Sequence, residues 1–541
     1  MTTESYGDRS SPVALWLDLT PRGPTEVVVG YGICLLVGES NRGAANEAIG
    51  MSSAMMADKL YHSGDLKEAI ELAFGNACSV VYAYRVLGSG NAKASLDLED
   101  GLSPANTVGT LYAKSEGAWG NGITMKIEYH AYDGTYYDVF VGDGTVGPYD
   151  LDVWNLVESA NNYVKVNGVA KTIVYTPGEL ASGKVYANKT DGSLTFYVGE
   201  GPAATDQVIC SFRYKVLKIT ITDGVTTKIL YNIRDLTDMA AQINSTTLAD
   251  FVPADGETHL PAIGSDFKLT GGSDGAAITV DDWENALLDA MKYVTPQTVA
   301  ICDNEVSPGT YDLVGILDGF LRDMASEYKP MCGFVGCDAN ETIGDLQDLA
   351  GGFDNMHLTI VANPWDKNSS PRQNMAVARA AQEAAVALGK ACPRIAIGGV
   401  NGLLNEYDSP DVVTLTGGRL DVLHKKEGIK SFQGINTATV SQWKRTVDVR
   451  TINWCIIMVK TITDQWYFRK NTTKNRAALR ASIINQLEDL VRQEIIYDNH
   501  SVDVWADTDA APNKVYIDMG IQPVGHMEIF HVTLEIGPDT E

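Results

Sequence analysis

The sequence predicts a multidomain chain: an α/β unit interrupted by an all-β insertion and followed by an α+β unit. Three observations carry this reading. Apolar strand-like runs alternate with helical stretches before residue 100 and again after residue 269, the pattern of a mostly parallel α/β sheet. Between them, Gly, Thr, Tyr, Asp and Asn dominate residues 101–268, and short alternating runs recur, as in an all-β module. At 541 residues the chain is too long for one simple core; about 150 residues per domain gives three or four domains.

Residues 1–24 read as an N-terminal arm, because prolines bracket the apolar run Val13–Leu19 and detach it from the next element. Residues 25–100 read as an α/β piece. Its strands are Val27–Val29, Ile33–Gly38 and Ser79–Val86, and its helical stretches are Ser52–Tyr61 and Asp65–Phe74. Residues 101–268 carry the runs Thr124–Tyr129, Tyr136–Val141, Thr172–Tyr175, Leu194–Val198 and Val216–Thr222. Turn signals separate them at Asp133-Gly134, Asp143-Gly144, Asn167-Gly168, Asp191-Gly192 and Asp223-Gly224. This stretch is an insertion between two α/β pieces, or two small β modules in series.

From 269 to 424 the α/β style returns. Helices are expected at 282–292, 310–326, 341–351 and 372–389, leading in turn to Thr298–Cys302, Met331–Val335, Leu358–Val361 and Gly398–Val400. Residues 425–541 form the final α+β unit. It has an expected strand at 453–463, an amphipathic helix at 475–496, and strands at 501–505, 514–519 and 527–536. The last alternates apolar and polar residues over His526–Ile536, so both termini carry strand-like segments able to pair with a neighbouring sheet edge.

Charge is distributed unevenly. The chain carries −27, yet residues 425–480 hold twelve Lys or Arg against only Glu427, Asp448 and Asp464, a local surplus of nine positive charges. Such asymmetry marks a surface that faces an acidic partner. On the helix 475–496, Leu479, Ile483, Leu487, Leu490 and Val491 form one apolar stripe, and Arg476, Arg480 and Arg492 lie off it. That leaves either a solvated basic face or a docking helix. The overall acidity disfavours nucleic acid as a partner, since phosphates would be repelled. The absence of a long uncharged apolar run argues against membrane insertion. The first residues lack a basic segment and an apolar core, which argues against a signal peptide. Eight scattered cysteines, mostly in apolar surroundings such as Trp454-Cys455-Ile456, read as buried free thiols in a reducing cytoplasm.

Motifs for chemistry are missing. Gly271–Gly275 lacks the phosphate-loop spacing and the following Lys, and reads as a turn whose Ser or Asp caps the next helix. Gly398–Gly402 is likewise a turn. Cys332 and Cys337 have no second cysteine pair at zinc spacing, and no H-E-x-x-H or G-x-S-x-G occurs. His357, beside a buried strand, reads as structural. No catalytic, cofactor or metal residue is assigned, and no enzyme activity is expected.

Four stretches carry a resemblance. Ile33–Gly43 (ICLLVGESNRG), Gly117–Asn121 (GAWGN), Leu269–Gly275 (LTGGSDG) with Val299–Asp303, and Lys430–Arg492 resemble the contractile tail sheath proteins of myovirus-type phages and related injection machines. The likeness covers most of the chain by order of elements, and GAWGN is its most specific motif. It implies that 269–424 is a subtilisin-like α/β domain in fold only, since no Asp/His/Ser set maps onto it. It implies a subunit that polymerises as a helical stack of hexameric rings around a tail tube, contracts without nucleotide, and meets baseplate and tail terminator proteins. Such a protein belongs to the virion and is assembled in the host cytoplasm. Val13, Leu15 and Leu17, and Ile529, Val532 and Leu534, occupy the family's inter-subunit strand arms. Lys470, Lys474, Arg476 and Arg480 are the expected tube-facing contacts. The main rival is a surface or virion protein whose β module binds carbohydrate through Tyr129, Tyr132, Tyr136, Tyr137 and Trp154; a hydrolase on 270–420 is a third reading.

Overall fold

The strand Ile33–Gly38 is the centre of the molecule. Its residues Leu35 to Val37 are fully buried on both faces, as an interior parallel strand requires. It pairs in parallel with Val80–Arg85 on one side and with Thr298–Ile301 on the other. The full sheet runs Leu358–Val361, Cys332–Gly336, Thr298–Ile301, Ile33–Gly38, Val80–Arg85 and Ala48–Met51, with only the last strand antiparallel. One sheet is thus built from residues on both sides of the insertion. In this computed structural model the described residues are 32–101, 104–151, 153, 155–257, 259–303, 312–367, 373–393, 395–506 and 513–526. The segments Val13–Leu19 and 527–536 lie outside them, and so do the arm residues Val13, Leu15, Leu17, Ile529, Val532 and Leu534.

Side-chain alternation splits the core into two layers. Leu35 and Val37 pack with helices Val280–Ala290, Leu313–Ser326, Ile343–Gly351 and Ser409–Gly417. Cys34 and Leu36 pack with Asp65–Gly75 and Met375–Ala385 on the opposite face. The helix Val280–Ala290 is not capped by the glycine-rich turn, as the sequence suggested. Thr279 caps it, in a reciprocal box with Asp282, and Asp274 serves elsewhere. Among the described residues no helix is long and apolar enough to cross a membrane.

The insertion is strung on two long paired strands, Thr124–Val141 and Gln207–Thr222. Asp133-Gly134, expected to be a turn, lies inside the first of these, with Asp133 opposite Lys215 and Gly134 opposite Tyr214. The ladder shifts register between Lys215 and Leu217, and such an irregularity changes which side chains face inward. In the second strand the buried apolar positions are even-numbered from Val208 to Val216 and odd-numbered from Leu217 to Ile221. One strand pair therefore serves two cores. Met125, Ile127, Ile219 and Ile221 join the proximal one, and Val208, Cys210 and Phe212 the distal one. The expected turn at Asn167-Gly168 is present, with φ of 49° and 83° linking Tyr163–Val166 to Val169–Val174. The proximal core also contains a helix, Leu236–Asn244, where the sequence suggested only strands.

Among the described residues of the C-terminal unit one expected strand is replaced by a helix, and the short hairpin Leu423–Lys425/Ile429–Ser431 is present although the sequence did not suggest it. Residues 453–463 are not a strand but part of the helix Thr446–Asp464. The run is rich in β-branched residues, but Thr451, Cys455, Met458 and Ile462 recur with a period near 3.6 and are all buried. The helix Thr473–Arg492 buries Leu479, Ile483, Leu487 and Leu490 against it. The hairpin Ser501–Trp505/Tyr516–Gly520 completes this unit.

A buried ionic cluster joins the C-terminal unit to the α/β unit. Arg379 donates to Asp421 at 2.8 Å, to Glu383 at 2.8 Å and to Gln382 at 2.6 Å. Arg450, on the first C-terminal helix, donates to the other Glu383 oxygen at 3.1 Å and to the carbonyl of Val386. Thr446 and Ser431 supply further donors to Glu383 and Asp421. Two cations thus face two carboxylates with almost no solvent contact. Burial opposes ionisation of Glu383, but Arg379 and Arg450 outweigh it and hold the carboxyl below its usual range. Removing one partner leaves an unpaired buried charge, so Glu383→Ala should lower the unfolding free energy by about 3–5 kcal/mol. A depressed carboxyl contributes stability above its unfolded value of about 4.3 and loses it as pH falls through the folded value. Urea unfolding across the acid range should therefore show a steeper loss for the wild type than for Glu383→Ala.

Candidate functional site

Three of the four stretches that carried the resemblance meet at one place. Arg85 closes the central strand pair and is fully enclosed. Its guanidinium donates to the carbonyls of Ser40 at 2.7 Å, Gly43 at 3.0 Å and Glu116 at 2.7 Å, and to Asp274 at 3.3 Å. Asn121 exchanges two bonds with the backbone of Gly272, both 2.8 Å. The Arg42 guanidinium lies 4.6 Å from the Trp119 ring centroid and forms an ion pair with Asp223. Gly117 adopts φ 126°, and a Cβ there would sit 2.7 Å from Asp274 Oδ1, so only glycine fits. Chain leaving the α/β unit also pairs with chain returning to it, at Ala92 with Ser273 and Ser95 with Thr270. This knot fixes the insertion on its base. The sequence shows the motifs but not the roles of Arg42, Arg85 or Asp274, whose partners are far away along the chain.

A cleft of about 730 Å³ opens beside the knot. Val86, Leu87, Trp119 and Ile278 give it apolar lining, and Glu39, Asp65 and Asp274 give it carboxylates. Among the described residues no group of His, Cys, Asp and Glu could hold a metal ion. All eight cysteines are buried free thiols. Burial pushes the Cys332 and Cys455 thiols up to about 12 and His357 down to about 4, which suits packing and not nucleophilic or proton-transfer work.

The basic block is not one surface. Arg450 is buried in the ionic cluster, and Lys430 is half-buried near Glu427 at 3.9 Å. Lys425 and Lys426 are exposed at the hairpin Leu423–Lys425/Ile429–Ser431. Lys470 and Lys474 are exposed around the start of the second C-terminal helix. Arg476 is half-buried and donates to Asn471 at 2.7 Å. Arg480 lies across the adjoining hairpin, with Nε donating to the Val502 carbonyl at 2.7 Å. These four share one end of the helix, but two of them also hold local structure. The loop between the helices projects Tyr467 and Phe468, 69% and 106% exposed. Beside them the Arg469 guanidinium lies 4.5 Å from the Trp466 ring centroid.

The aromatic residues of the insertion do not form one platform. Tyr129 and Tyr137 are exposed, but eight residues of strand separate them, about 27 Å. Tyr136 is half-buried and donates to Asp138 at 3.1 Å. The Tyr132 side chain and Trp154 lie outside the described residues.

Comparison with known proteins agrees with this architecture. A family model described as the phage tail sheath C-terminal domain matches residues 438–537. No curated protein sequence matches the chain. Among solved structures, the sheath tail protein of Desulfitobacterium hafniense aligns over 94% of this chain and 97% of its own, with 13% identity and a TM-score of 0.56. The sheath tail protein Lin1278 of Listeria innocua aligns over 92% and 93%, with 14% identity and the same TM-score. The chain has the fold of sheath tail proteins. Residues 438–537 are similar to the phage tail sheath C-terminal domain, in the part of the chain where the sequence resemblance placed it.

The knot yields a prediction. Replacing Arg85 with Met would strand three buried carbonyls, each costing about 1–3 kcal/mol. Arg85→Met should therefore lower the thermal midpoint clearly and speed proteolysis between residues 86 and 120, whereas Lys474→Met should do neither.

Proposed function

We propose that this chain is the subunit of a contractile tail sheath. It polymerises helically around an inner tube and shortens to drive that tube through a cell envelope. The observation that carries the reading is the coincidence of a whole-chain sheath-protein fold with a sheath C-terminal domain at residues 438–537. The parallel core sheet with helices on both faces supports a subtilisin-like reading of the α/β unit. In this reading the subunits stack as hexameric rings in a virion tail, assembled in the host cytoplasm, and the ends of the stack meet baseplate and terminator proteins.

Among the described residues the C-terminal sheet has two strands, and a neighbour's strand would add to its edge. Residues 1–24 and 526–541 are the arms that would add there. Lys470, Lys474, Arg476 and Arg480 would face an acidic stripe on the tube. Each exposed pair contributes at most about 1 kcal/mol, so a repeated array holds the sheath without locking any one subunit. The insertion leaves and returns at adjacent points, which suits a place on the outside of the assembly.

Electron microscopy of the purified protein tests the reading: tubes or polysheaths are expected, and persistent monomers would refute it. Deleting residues 1–22 or 526–541 should leave a folded core that forms no ordered polymer. Lys474→Glu with Arg476→Glu should impair assembly on tubes and spare tube-free polysheath, and added salt should weaken the wild-type assembly on tubes in the same direction.

A further inference from the structure

The tip between the two C-terminal helices leaves two large aromatic side chains in solvent. Phe468 is wholly exposed and Tyr467 is about two-thirds exposed. Phe468 also holds φ 63°, a conformation that costs a bulky residue about 1–3 kcal/mol and concentrates at functional positions. The loop is not loosely placed. Trp466 N–H bonds to Thr463 O at 2.8 Å, Arg469 N–H to Trp466 O at 3.2 Å, and Asn475 Nδ2 to Lys470 O at 2.7 Å. A braced loop therefore presents two aromatic rings to solvent. Their setting is cationic, since no Asp or Glu occurs between Asp464 and Glu488 while Arg469, Lys470 and Lys474 do.

The complementary surface is on the same chain. The cleft beside the junction knot pairs an apolar lining of Val86, Leu87, Trp119 and Ile278 with the carboxylates of Glu39, Asp65 and Asp274, in about 730 Å³. We propose that the Tyr467–Phe468 tip of one copy docks into this cleft of a second copy. The aromatic rings would meet the apolar lining, and Arg469 would meet the carboxylate rim. A second copy is the occupant favoured by charge, because the chain as a whole carries −27 while the stretch between Asp464 and Glu488 that forms this tip holds Arg469, Lys470 and Lys474 and no acid. Knob and hole lie on different parts of the subunit. The contact joins two different surfaces, so it can pass from copy to copy, closing a ring or running on as a filament. This inference rests on the proposed reading that copies of the chain assemble with one another.

The test uses the full chain without tube. Tyr467→Ala with Phe468→Ala removes only exposed rings, so the subunit should stay folded while its critical concentration for polysheath rises at least about tenfold. Since all eight native cysteines are buried, Phe468→Cys with Ala276→Cys supplies an accessible pair. Copper-phenanthroline oxidation of the assembled variant should give a ladder of disulfide-linked multimers, and neither single variant should. Normal polysheath without a ladder would overturn the proposal. So would an alanine variant that polymerises like the wild type alone but fails to assemble on tubes, since the tip would then meet the tube and the sheath reading would stand. A wild type that never polymerises would overturn both.

Discussion

The buried cluster of Arg379, Glu383, Asp421 and Arg450 is the constraint on which the arrangement of the two large units depends. Four charges are withdrawn from water, and they are tolerable only because each is paired and hydrogen-bonded. The members come from the core helix Met375–Ala385, the chain just before the strand Leu423–Lys425, and the first C-terminal helix. If either unit shifted relative to the other, Glu383 would lose a cation in a place water does not reach. The geometry is therefore all-or-none, and it makes the α/β unit and the helix Thr446–Asp464 one body. In an assembly that rearranges, motion is then expected between subunits and not within this body.

The second constraint is the knot around Arg85. It closes the base of an insertion whose two cores hang on one strand pair. The register shift near Lys215 turns the inward face over, so one ribbon carries a proximal core joined to the base and a distal core beyond it. The insertion is thereby held at its foot and built separately at its far end. A module made this way can vary at its tip without disturbing the sheet that carries it.

Much of the fold was legible in the sequence because the α/β unit uses strong local signals. Runs such as Ile33–Gly38 and Leu358–Val361 are mostly apolar, and the helices Val280–Ala290, Leu313–Ser326, Ile343–Gly351 and Met375–Ala385 carry side-chain caps. Legibility failed where tertiary context outweighed local preference. The β-branched residues of 453–463 favour a strand in isolation, but burial of Cys455, Met458 and Ile462 along one face makes them helical. Asp133-Gly134 has turn chemistry, yet its neighbour Lys215 pairs with Asp133 at 2.6 Å and the strand continues. The surplus of positive charge was visible, but its division was not. Arg450 finds Glu383, sixty-seven positions earlier, and so leaves the surface. Likewise, the motifs of the resemblance were readable as motifs, but their meeting at Arg85 needed the fold.

The claim that the α/β unit and the first C-terminal helix act as one body is open to direct measurement. Cryo-electron microscopy of assembled particles before and after shortening would place both elements in each state. The account predicts that Met375–Ala385 and Thr446–Asp464 superpose as a single rigid unit in the two states, with the Arg379–Glu383–Arg450 contacts intact, while contacts between subunits change. Separation or rotation of the two helices against each other, with the cluster broken in either state, would contradict it.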